Sequence, residues 1–282
     1  MPDSFGVIDS HLHLWDPARL SYPWLESLPR IHRTFGLEEL TEATPGIPLQ
    51  GFIFVECNTA PGQTLDEVRA VAELAREEPR LLGSVAYADL TNAAELPRLL
   101  DAFRELGSVR GVRHNIQGNP PGFCTSSEFV AGVTEVGRRG FTFDLCATHD
   151  QLGDVVELAR RVPATRLVLD HCGKPDIASG RLDPWRAHIS ELAALPHVSC
   201  KISGLLTEAG VDWTEEKLLP YVDHVVEQFG TDRVMYGGDW PVLTLVGSYL
   251  EWYQFTRRFT AEWTPGERAA FYRENALRFY GI

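Results

Sequence analysis

The amino-acid sequence predicts a (β/α)8 TIM barrel with an extra C-terminal helix, and two observations carry this prediction. Eight short runs of β-branched and other apolar residues recur along the chain, and segments with helical periodicity separate them. Strands that alternate with helices pair in parallel through right-handed crossovers. In a chain of 282 residues, eight such units close naturally into a barrel, and an open doubly wound sheet is the competing arrangement.

The predicted elements follow one another in regular order. Strands are predicted at 5–9, 51–57, 81–90, 109–115, 140–146, 166–172, 197–203 and 233–239. Helices are predicted at 65–78, 93–106, 128–139, 151–162, 184–195 and 216–229, with an extra closing helix at 264–280. The connection at 14–50 is expected to cover the barrel mouth. Because no linker or low-complexity tract interrupts the chain, we expect a single domain over residues 1–282.

Composition and charge narrow the class of protein. The chain is 44% hydrophobic and 23% charged, as is usual for a soluble enzyme, and its formal net charge of −13 disfavours nucleic-acid and anionic membrane partners. No apolar run reaches the roughly 18 residues of a membrane span, and no secretory signal is recognisable. The five cysteines are scattered without a CxxC pair, which indicates reduced thiols. These features predict a cytoplasmic protein and say nothing positive about its substrate, and a homo-oligomer stays open.

Polar residues recur where the predicted strands end, and the carboxyl ends of barrel strands all meet at one mouth. His11 and His13 share one side of an extended chain, because their spacing is two residues. If Arg113 points into the cavity, its neighbour His114 points away. The strand-end residues are His11, His13, Glu56, Arg113, His114, His149, His171, Lys201, Ser203 and Asp239.

Each of these residues also has a purely structural interpretation. A single histidine at a strand end is more often structural than a ligand, although the pair His11 and His13 favours function. Glu56 can cap a helix or pair with Arg113, and Asp239 can be a turn residue between "YGG" and "WP". The cysteines lack a His/Asn pattern, and no G-x-S-x-G elbow is present, which argues against nucleophilic catalysis by Cys or Ser.

The motifs "IDSHLHLW", "DLCATHDQL", "VLDHCGKP" and "YGGDWPV" together resemble the amidohydrolase superfamily, and more narrowly its amidohydrolase-2, lactonase-type branch. This branch contains sugar lactonases such as L-fuconolactonase and L-rhamnonolactonase. The resemblance implies a barrel with its site at the C-terminal mouth. His11 and His13 match the first-strand HxH motif, His149 and His171 the histidines of strands 5 and 6, and Asp239 the aspartate of strand 8.

The resemblance leaves the cofactor open between one divalent ion, for which zinc is the candidate, and none. Binuclear relatives carry a carboxylated lysine or a glutamate at the end of strand 4, where this chain has Arg113 and His114, so a second ion lacks its bridging ligand. His11, His13, His149 and Asp239 could supply the ligands of one ion. Without a metal, Arg113, His171 and the histidine pair would stabilise an oxyanion. No organic cofactor is expected.

The resemblance predicts hydrolysis of a small, sugar-derived lactone. Asp239 would be the general base, and His171 would polarise the carbonyl. The expected substrate-binding residues are Glu56, Arg113, His149, Lys174, Trp24 and Trp240.

Three other functions stay open. A carboxylated pyrone or muconolactone would require several arginines in the cavity, and only Arg113 and Arg110 lie near strand ends. The broader family also contains zinc-dependent non-oxidative decarboxylases. A binding or scaffold protein with a decayed site is the non-enzymatic alternative.

Overall fold

Eight parallel strands, paired in the order β1 to β8, form the centre of the computed structural model, which describes residues 6–282. The strands are β1 (Val7–Leu12), β2 (Leu49–Val55), β3 (Leu81–Tyr87), β4 (Val109–Arg113), β5 (Thr142–Leu145), β6 (Leu167–Leu169), β7 (Val198–Ile202) and β8 (Val234–Tyr236). All eight lie within or beside the predicted runs. The predicted first strand and domain begin outside the described residues, at Phe5 and Met1 respectively.

Helices surround the strands, and every predicted helix is present within a few residues of its expected bounds. They are α1 (Leu37–Ala43), α2 (Thr64–Glu77), α3 (Leu96–Leu106), α4 (Ser127–Arg138), α5 (Leu152–Arg161), α6 (Trp185–Ala193), α7 (Leu205–Ala209), α8 (Glu215–Phe229), α9 (Tyr249–Phe259), α10 (Pro265–Ala269) and α11 (Asn275–Tyr280). Helices α1, α7 and α9 were not predicted. Among the described residues, no helix has the length and apolar character needed to cross a membrane.

The predicted closing helix is confirmed as α10 and α11, joined by a π-helical stretch at Ala270–Glu274. Its last turn lies against the amino ends of the strands. The Asn275 side chain donates to the carbonyl of Val234 at 2.6 Å, and Arg166 donates to the carbonyl of Phe279 at 2.8 Å. This helix therefore closes the end of the barrel opposite the mouth. It packs against an apolar layer inside the barrel, formed by Ile8, Ile53, Val55, Val85, Val168 and Met235.

Strands β1 and β8 meet just beyond the end of β8, and this contact closes the barrel. The amide of Asp239 donates to the carbonyl of His11, and the amide of His13 donates to the carbonyl of Trp240, each at 2.8 Å. These two hydrogen bonds replace a longer ladder between the strands. The competing open sheet is thereby excluded, and the histidine pair lies directly beside Asp239.

The buried carboxylate of Asp9 joins the same two strands a second time. One of its oxygens accepts the backbone amides of His11 and Gly238, both at 2.8 Å, and the other accepts the Tyr249 hydroxyl at 2.7 Å. Burial raises the pKa of Asp9 to about 6, although these hydrogen bonds oppose the shift. Asp9 thus fixes the backbone on both sides of the closing contact.

Glu67 on α2 is a second buried acid, and it supports the end of β2. Its side chain accepts the amide of Cys57 at 3.0 Å and is 3% exposed. Burial, with a further contribution from the charge of Glu56, raises the pKa of Glu67 from 4.5 to about 8. The folded protein therefore binds this proton more tightly than the unfolded chain does.

We expect Glu67→Gln to change how stability depends on pH. In the wild type, the contribution of Glu67 is fully present below pH 4.5 and is lost as the pH rises through about 8, because the folded-state pKa is the raised one. Glutamine keeps the acceptor for Cys57 and does not ionise. Urea unfolding from pH 4 to 9 should therefore show a flatter curve for Glu67→Gln, with its largest advantage above pH 8. Glu77→Gln, an exposed position on the same helix, is the control. Parallel curves for wild type and Glu67→Gln would contradict the assignment.

Candidate active site

Three imidazole rings converge on the carboxylate of Asp239 at the barrel mouth. The Nε2 atoms of His11, His13 and His171 lie 3.9, 3.6 and 3.9 Å from one oxygen, Oδ1 of Asp239. All four side chains are buried. Residues from strands 1, 6 and 8 are thus brought together as the barrel topology predicts.

The backbone around this group takes forms that few side chains tolerate. Asp239 and His171 adopt left-handed φ angles of 55° and 53°, and such conformations in residues other than glycine concentrate at functional sites. Gly237, two residues before Asp239, lies very close to the neighbouring strands, because a Cβ there would be 2.9 Å from the Cβ of His11 and 3.0 Å from that of Ser203. The "GGD" sequence therefore lets β8 approach its neighbours and then turns Asp239 into the mouth.

His13 directs Nε2 toward Asp239. Its Nδ1 lies 2.8 Å from the carbonyl of Val55, and a carbonyl can only accept, so Nδ1 carries a proton. In the neutral ring, Nε2 is the unprotonated nitrogen, and it faces a carboxylate oxygen at 3.6 Å. Two acceptors in this arrangement repel each other unless a cation or a proton lies between them.

His11 is fully buried and neutral. Burial holds the pKa of His11 well below its usual value, even though Asp170 favours the charged form. Its Nδ1 lies 3.2 Å from Lys201 Nζ and 3.3 Å from an oxygen of Asp170. Its Nε2, which faces the mouth, has no hydrogen-bond partner among residues 6–282. An unpartnered buried nitrogen of this kind is costly unless a ligand binds it.

Asp239 is ionised under ordinary conditions. Burial would raise its pKa, but the surrounding histidines outweigh that effect and hold the pKa of Asp239 below its usual value. Burial lowers the pKa of His171 to about 4, against the opposing charge of Asp239. The site therefore combines a carboxylate with the neutral imidazoles of His11 and His171, which suits both a base and a set of metal ligands.

The donor set fits a divalent ion. The ligating atoms of His11, His13 and Asp239 all lie within 4.8 Å of one another, and one of the two Nε2 atoms is unpartnered while the other faces a carboxylate. Imidazole nitrogens with a carboxylate oxygen are ligands that zinc and similar ions prefer. The residues present are therefore compatible with one ion.

A second potential ligand group already contains cations from the protein itself. His11, Asp170 and His171 form this group, but Lys201 Nζ lies 3.0 Å from one oxygen of Asp170 and Arg113 Nη1 lies 3.3 Å from the other. Lys201 and Arg113 therefore already neutralise the negative charge of Asp170 that a second ion would otherwise neutralise. This geometry agrees with the argument against a binuclear site.

Arg113 points into the barrel and is held by Glu56. Its Nε donates to Glu56 Oε1 at 2.7 Å and its Nη2 to the Glu56 carbonyl at 2.8 Å. The other carboxylate oxygen of Glu56 accepts the amide of Asn58 at 2.6 Å. With both oxygens occupied and the side chain fully buried, a substrate-binding role for Glu56 is not supported. His114 points away, as predicted, and accepts the amide of Leu90 at 3.2 Å.

Lys174 faces the mouth together with a residue that the sequence reasoning missed. Its Nζ lies 4.0 Å from an oxygen of Glu208 on α7. Burial opposes the charge of Lys174, but Cys146, Glu208 and Asp239 outweigh it and raise the pKa of Lys174. Helix α7 has only five residues, too few for a periodic pattern to reveal Glu208 in the sequence.

Two predicted site residues lie elsewhere than expected. His149 is half-buried in a short turn four residues beyond the end of β5, and it belongs to neither ligand group of the described residues. Trp240 is 1% exposed and packs edge-on against Phe35. The geometry does not support His149 as a metal ligand, and packing accounts for Trp240. Trp24 is half-buried and its indole donates to the carbonyl of Cys57 at 2.8 Å, and its role in binding substrate stays a prediction.

Comparison with known proteins places this site in a family. The amidohydrolase family model matches residues 8–282. The L-fucono-1,5-lactonase of Burkholderia multivorans (strain ATCC 17616 / 249) is 33% identical over 294 residues, which cover 98% of this chain and 96% of that protein. The L-rhamnono-gamma-lactonase of Scheffersomyces stipitis is 24% identical, covering 99% of each chain. A crystal structure of a Burkholderia multivorans amidohydrolase with bound zinc is similar with a TM-score of 0.89 and 33% identity, covering 98% of this chain and 99% of that one.

These matches extend over nearly the whole chain, and they agree with the barrel and with the histidine pair beside Asp239. The resemblance seen in the sequence motifs is thereby confirmed. The chain belongs to the amidohydrolase family, in its lactonase-type branch, and is a hydrolase.

Proposed function

We propose that the protein opens a small, neutral, sugar-derived lactone to its hydroxy acid. The observation that carries this proposal is the ionised carboxylate of Asp239, set among three buried imidazoles at the barrel mouth. Relatives that match over nearly their full length are an L-fucono-1,5-lactonase and an L-rhamnono-gamma-lactonase. A lactone is a cyclic ester, so its opening needs a base that activates water and a group that stabilises the carbonyl oxygen.

Asp239 is the residue suited to act as that base. It takes a proton from a water molecule as the water oxygen forms a bond to the lactone carbonyl carbon. The ring C–O bond then breaks, and the proton on Asp239 passes to the departing alkoxide. The product is one hydroxy acid, and the carboxylate of Asp239 is restored. Asp239 is thus base and then acid within one turnover.

His171 is the candidate for polarising the carbonyl. Its Nδ1 lies 2.8 Å from the hydroxyl of Ser203, which can either donate or accept. When Ser203 donates, the Nε2 of His171 carries a proton that can be given in a hydrogen bond to the developing oxyanion. Its position 3.9 Å from Asp239 leaves the carbonyl oxygen and the attacked carbon within reach of the two groups.

We also propose that His11, His13 and Asp239 hold one zinc ion. When bound, the ion would act as a Lewis acid toward the ester carbonyl. The unpartnered Nε2 of His11 and the Nε2 of His13 that faces Asp239 support this assignment. Asp239 has two oxygens, so one can face an ion while the other accepts a proton from water.

The pairing of the cations favours a neutral substrate. Arg113 is bound by Glu56 and Asp170, and Lys174 faces Glu208. A carboxylate on the substrate would have to displace one of these partners. Lys174 and Glu208 together offer a donor and an acceptor, which suits the hydroxyl groups of a sugar lactone.

We expect neutral aldonolactones to be better substrates than lactones that carry a carboxylate. The kcat/KM for the best five- or six-membered aldonolactone should exceed that for pyrone-carboxylate or muconolactone substrates at least about tenfold, because Arg113 and Lys174 already have carboxylate partners. Acid release measured with a pH indicator across both panels tests this. Preference for the carboxylated panel would contradict the substrate class, and release of carbon dioxide would indicate a decarboxylase.

Replacing the base should abolish most of the activity without unfolding the protein. Asp239→Asn is expected to lower kcat by about 10²- to 10⁴-fold, since asparagine cannot accept the proton from water. The assay is turnover of the best aldonolactone, with circular dichroism to establish folding. Asp212→Asn, at an exposed position, serves as the control. Turnover of Asp239→Asn near that of the wild type would rule out this role.

Metal binding is expected at one equivalent per chain. Metal-depleted protein titrated with zinc should bind a single ion, and His13→Gln should weaken the affinity at least about tenfold by removing one ligand. His32→Gln removes an exposed histidine of the first long connection and should leave the affinity unchanged. Elemental analysis and competition with a chelator measure both quantities. Equal affinity in His13→Gln and His32→Gln would contradict the ligand assignment.

A further inference from the structure

Lys201 is a fully buried cation directly beneath the active site, and the proposed reaction does not use it. It lies on β7, and its Nζ is 2.5 Å from Asp144, 3.0 Å from Asp170 and 3.2 Å from Nδ1 of His11. The ammonium donates to Asp144, forms an ion pair with Asp170 and lies against Nδ1 of His11. The ammonium therefore lies beside the Nδ1 edge of the His11 ring, on the side away from the mouth.

The other support of this cluster comes from the opposite end of the barrel. Tyr280, in the last turn of α11, donates its hydroxyl to the same oxygen of Asp144 at 2.8 Å. Its ring lies 5.7 Å from Lys201 Nζ, within the range of a cation–π contact. Tyr280 is 2% exposed. One chain of contacts thus connects α11 to the active-site histidine, in the order Tyr280, Asp144, Lys201 and His11.

We propose that Lys201 is a positioning residue that fixes the ring of His11, and that Tyr280 holds Lys201 in place through Asp144. The lysine stem has four rotatable bonds, so the ammonium keeps one position only while its acceptors are themselves fixed. The hydroxyl of Tyr280 fixes the oxygen of Asp144 that Lys201 binds most closely. Helix α11 is therefore a part of the active site as well as the closure of the barrel.

A purely structural role explains this cluster less well. Burying charged residues in a core costs desolvation energy, and replacing such a group with apolar residues of similar volume is often neutral or stabilising. The layer just below includes Ile8, Val55, Val168 and Met235, which shows that the barrel interior accommodates apolar side chains. Lys201, Asp144 and Asp170 lie instead at the level of the barrel interior where Lys201 contacts His11 of the candidate active site.

Tyr280→Phe tests the proposal with little change in packing. We expect kcat on the best aldonolactone to fall about tenfold or more with KM within twofold, as is common when an outer partner of a catalytic group is removed. The ring nitrogen resonances of His11, measured by ¹⁵N NMR with histidine-selective labelling and assigned with His11→Asn, should also shift. Tyr272→Phe is the matched control, because its buried hydroxyl on the same helical segment binds Thr256 and Thr260 instead. It should lose some stability but keep wild-type kcat and His11 resonances.

A double-mutant cycle with Lys201→Met tests the order of the contacts. If Tyr280 acts through Lys201, Tyr280→Phe should have little further effect on kcat or on the His11 resonances once Lys201 is replaced. Equal, additive effects in both backgrounds would overturn the proposed route. If Lys201→Met does not fold, the comparison of Tyr280→Phe with Tyr272→Phe decides alone, and identical behaviour of those two variants overturns the proposal.

The kinetic part of this test rests on the proposed lactonase function, whereas the NMR part does not. If the wild type opens no lactone, the proposed function fails, and the His11 resonances then decide the present inference. A shift in Tyr280→Phe but not in Tyr272→Phe supports positioning through Lys201. Unchanged His11 resonances in Tyr280→Phe overturn it.

Discussion

The closing contact between β1 and β8 is the constraint on which the rest of the site depends. Two backbone hydrogen bonds there place His11 and His13 beside Asp239, although more than two hundred residues separate them in sequence. Asp9 binds the backbone on both sides of this contact. Because Asp239 and the histidine pair belong to the two strands that close the barrel, their distance is set by the closure itself and not by a flexible loop.

Charge balance explains why this site suits a cation. Among the described residues, the buried carboxylates of Glu56, Asp144, Asp170 and Asp239 and the partly exposed one of Glu208 lie near three cations, Arg113, Lys201 and Lys174. With His11 and His171 neutral, the group carries an excess of negative charge. Burial raises the pKa of Asp144 to about 6 in spite of its contact with Lys201, so Asp144 is mostly ionised near neutral pH. A divalent ion beside Asp239 would relieve the excess, and this supports the proposed metal site independently of the ligand distances.

The strands and their polar ends were predictable because apolar runs mark parallel strands and because the barrel brings their carboxyl ends together. The sequence did not predict the directions in which individual side chains point. Trp240 follows Asp239 directly but turns into the core, and His149 lies past the strand at whose end Asp144 points inward. Helices α1 and α7 are too short for a periodic pattern. Helix α9 did carry a signal, the sequence "SYLE", in which Ser248 accepts the amide of Glu251.

Barrel enzymes usually separate their two ends, with chemistry at the carboxyl ends of the strands and stability at the amino ends. In this protein, buried charged residues connect the two ends of the barrel. Lys201 and Asp144 occupy the level between the apolar layer and the catalytic mouth, and their contacts extend upward to His11 and downward to Tyr280. Packing in an apolar layer restricts only where a side chain lies, whereas hydrogen bonds between charged groups also fix the direction in which the side chain points. A site that must hold one imidazole in one orientation therefore gains from a polar connection to the rigid closing helix.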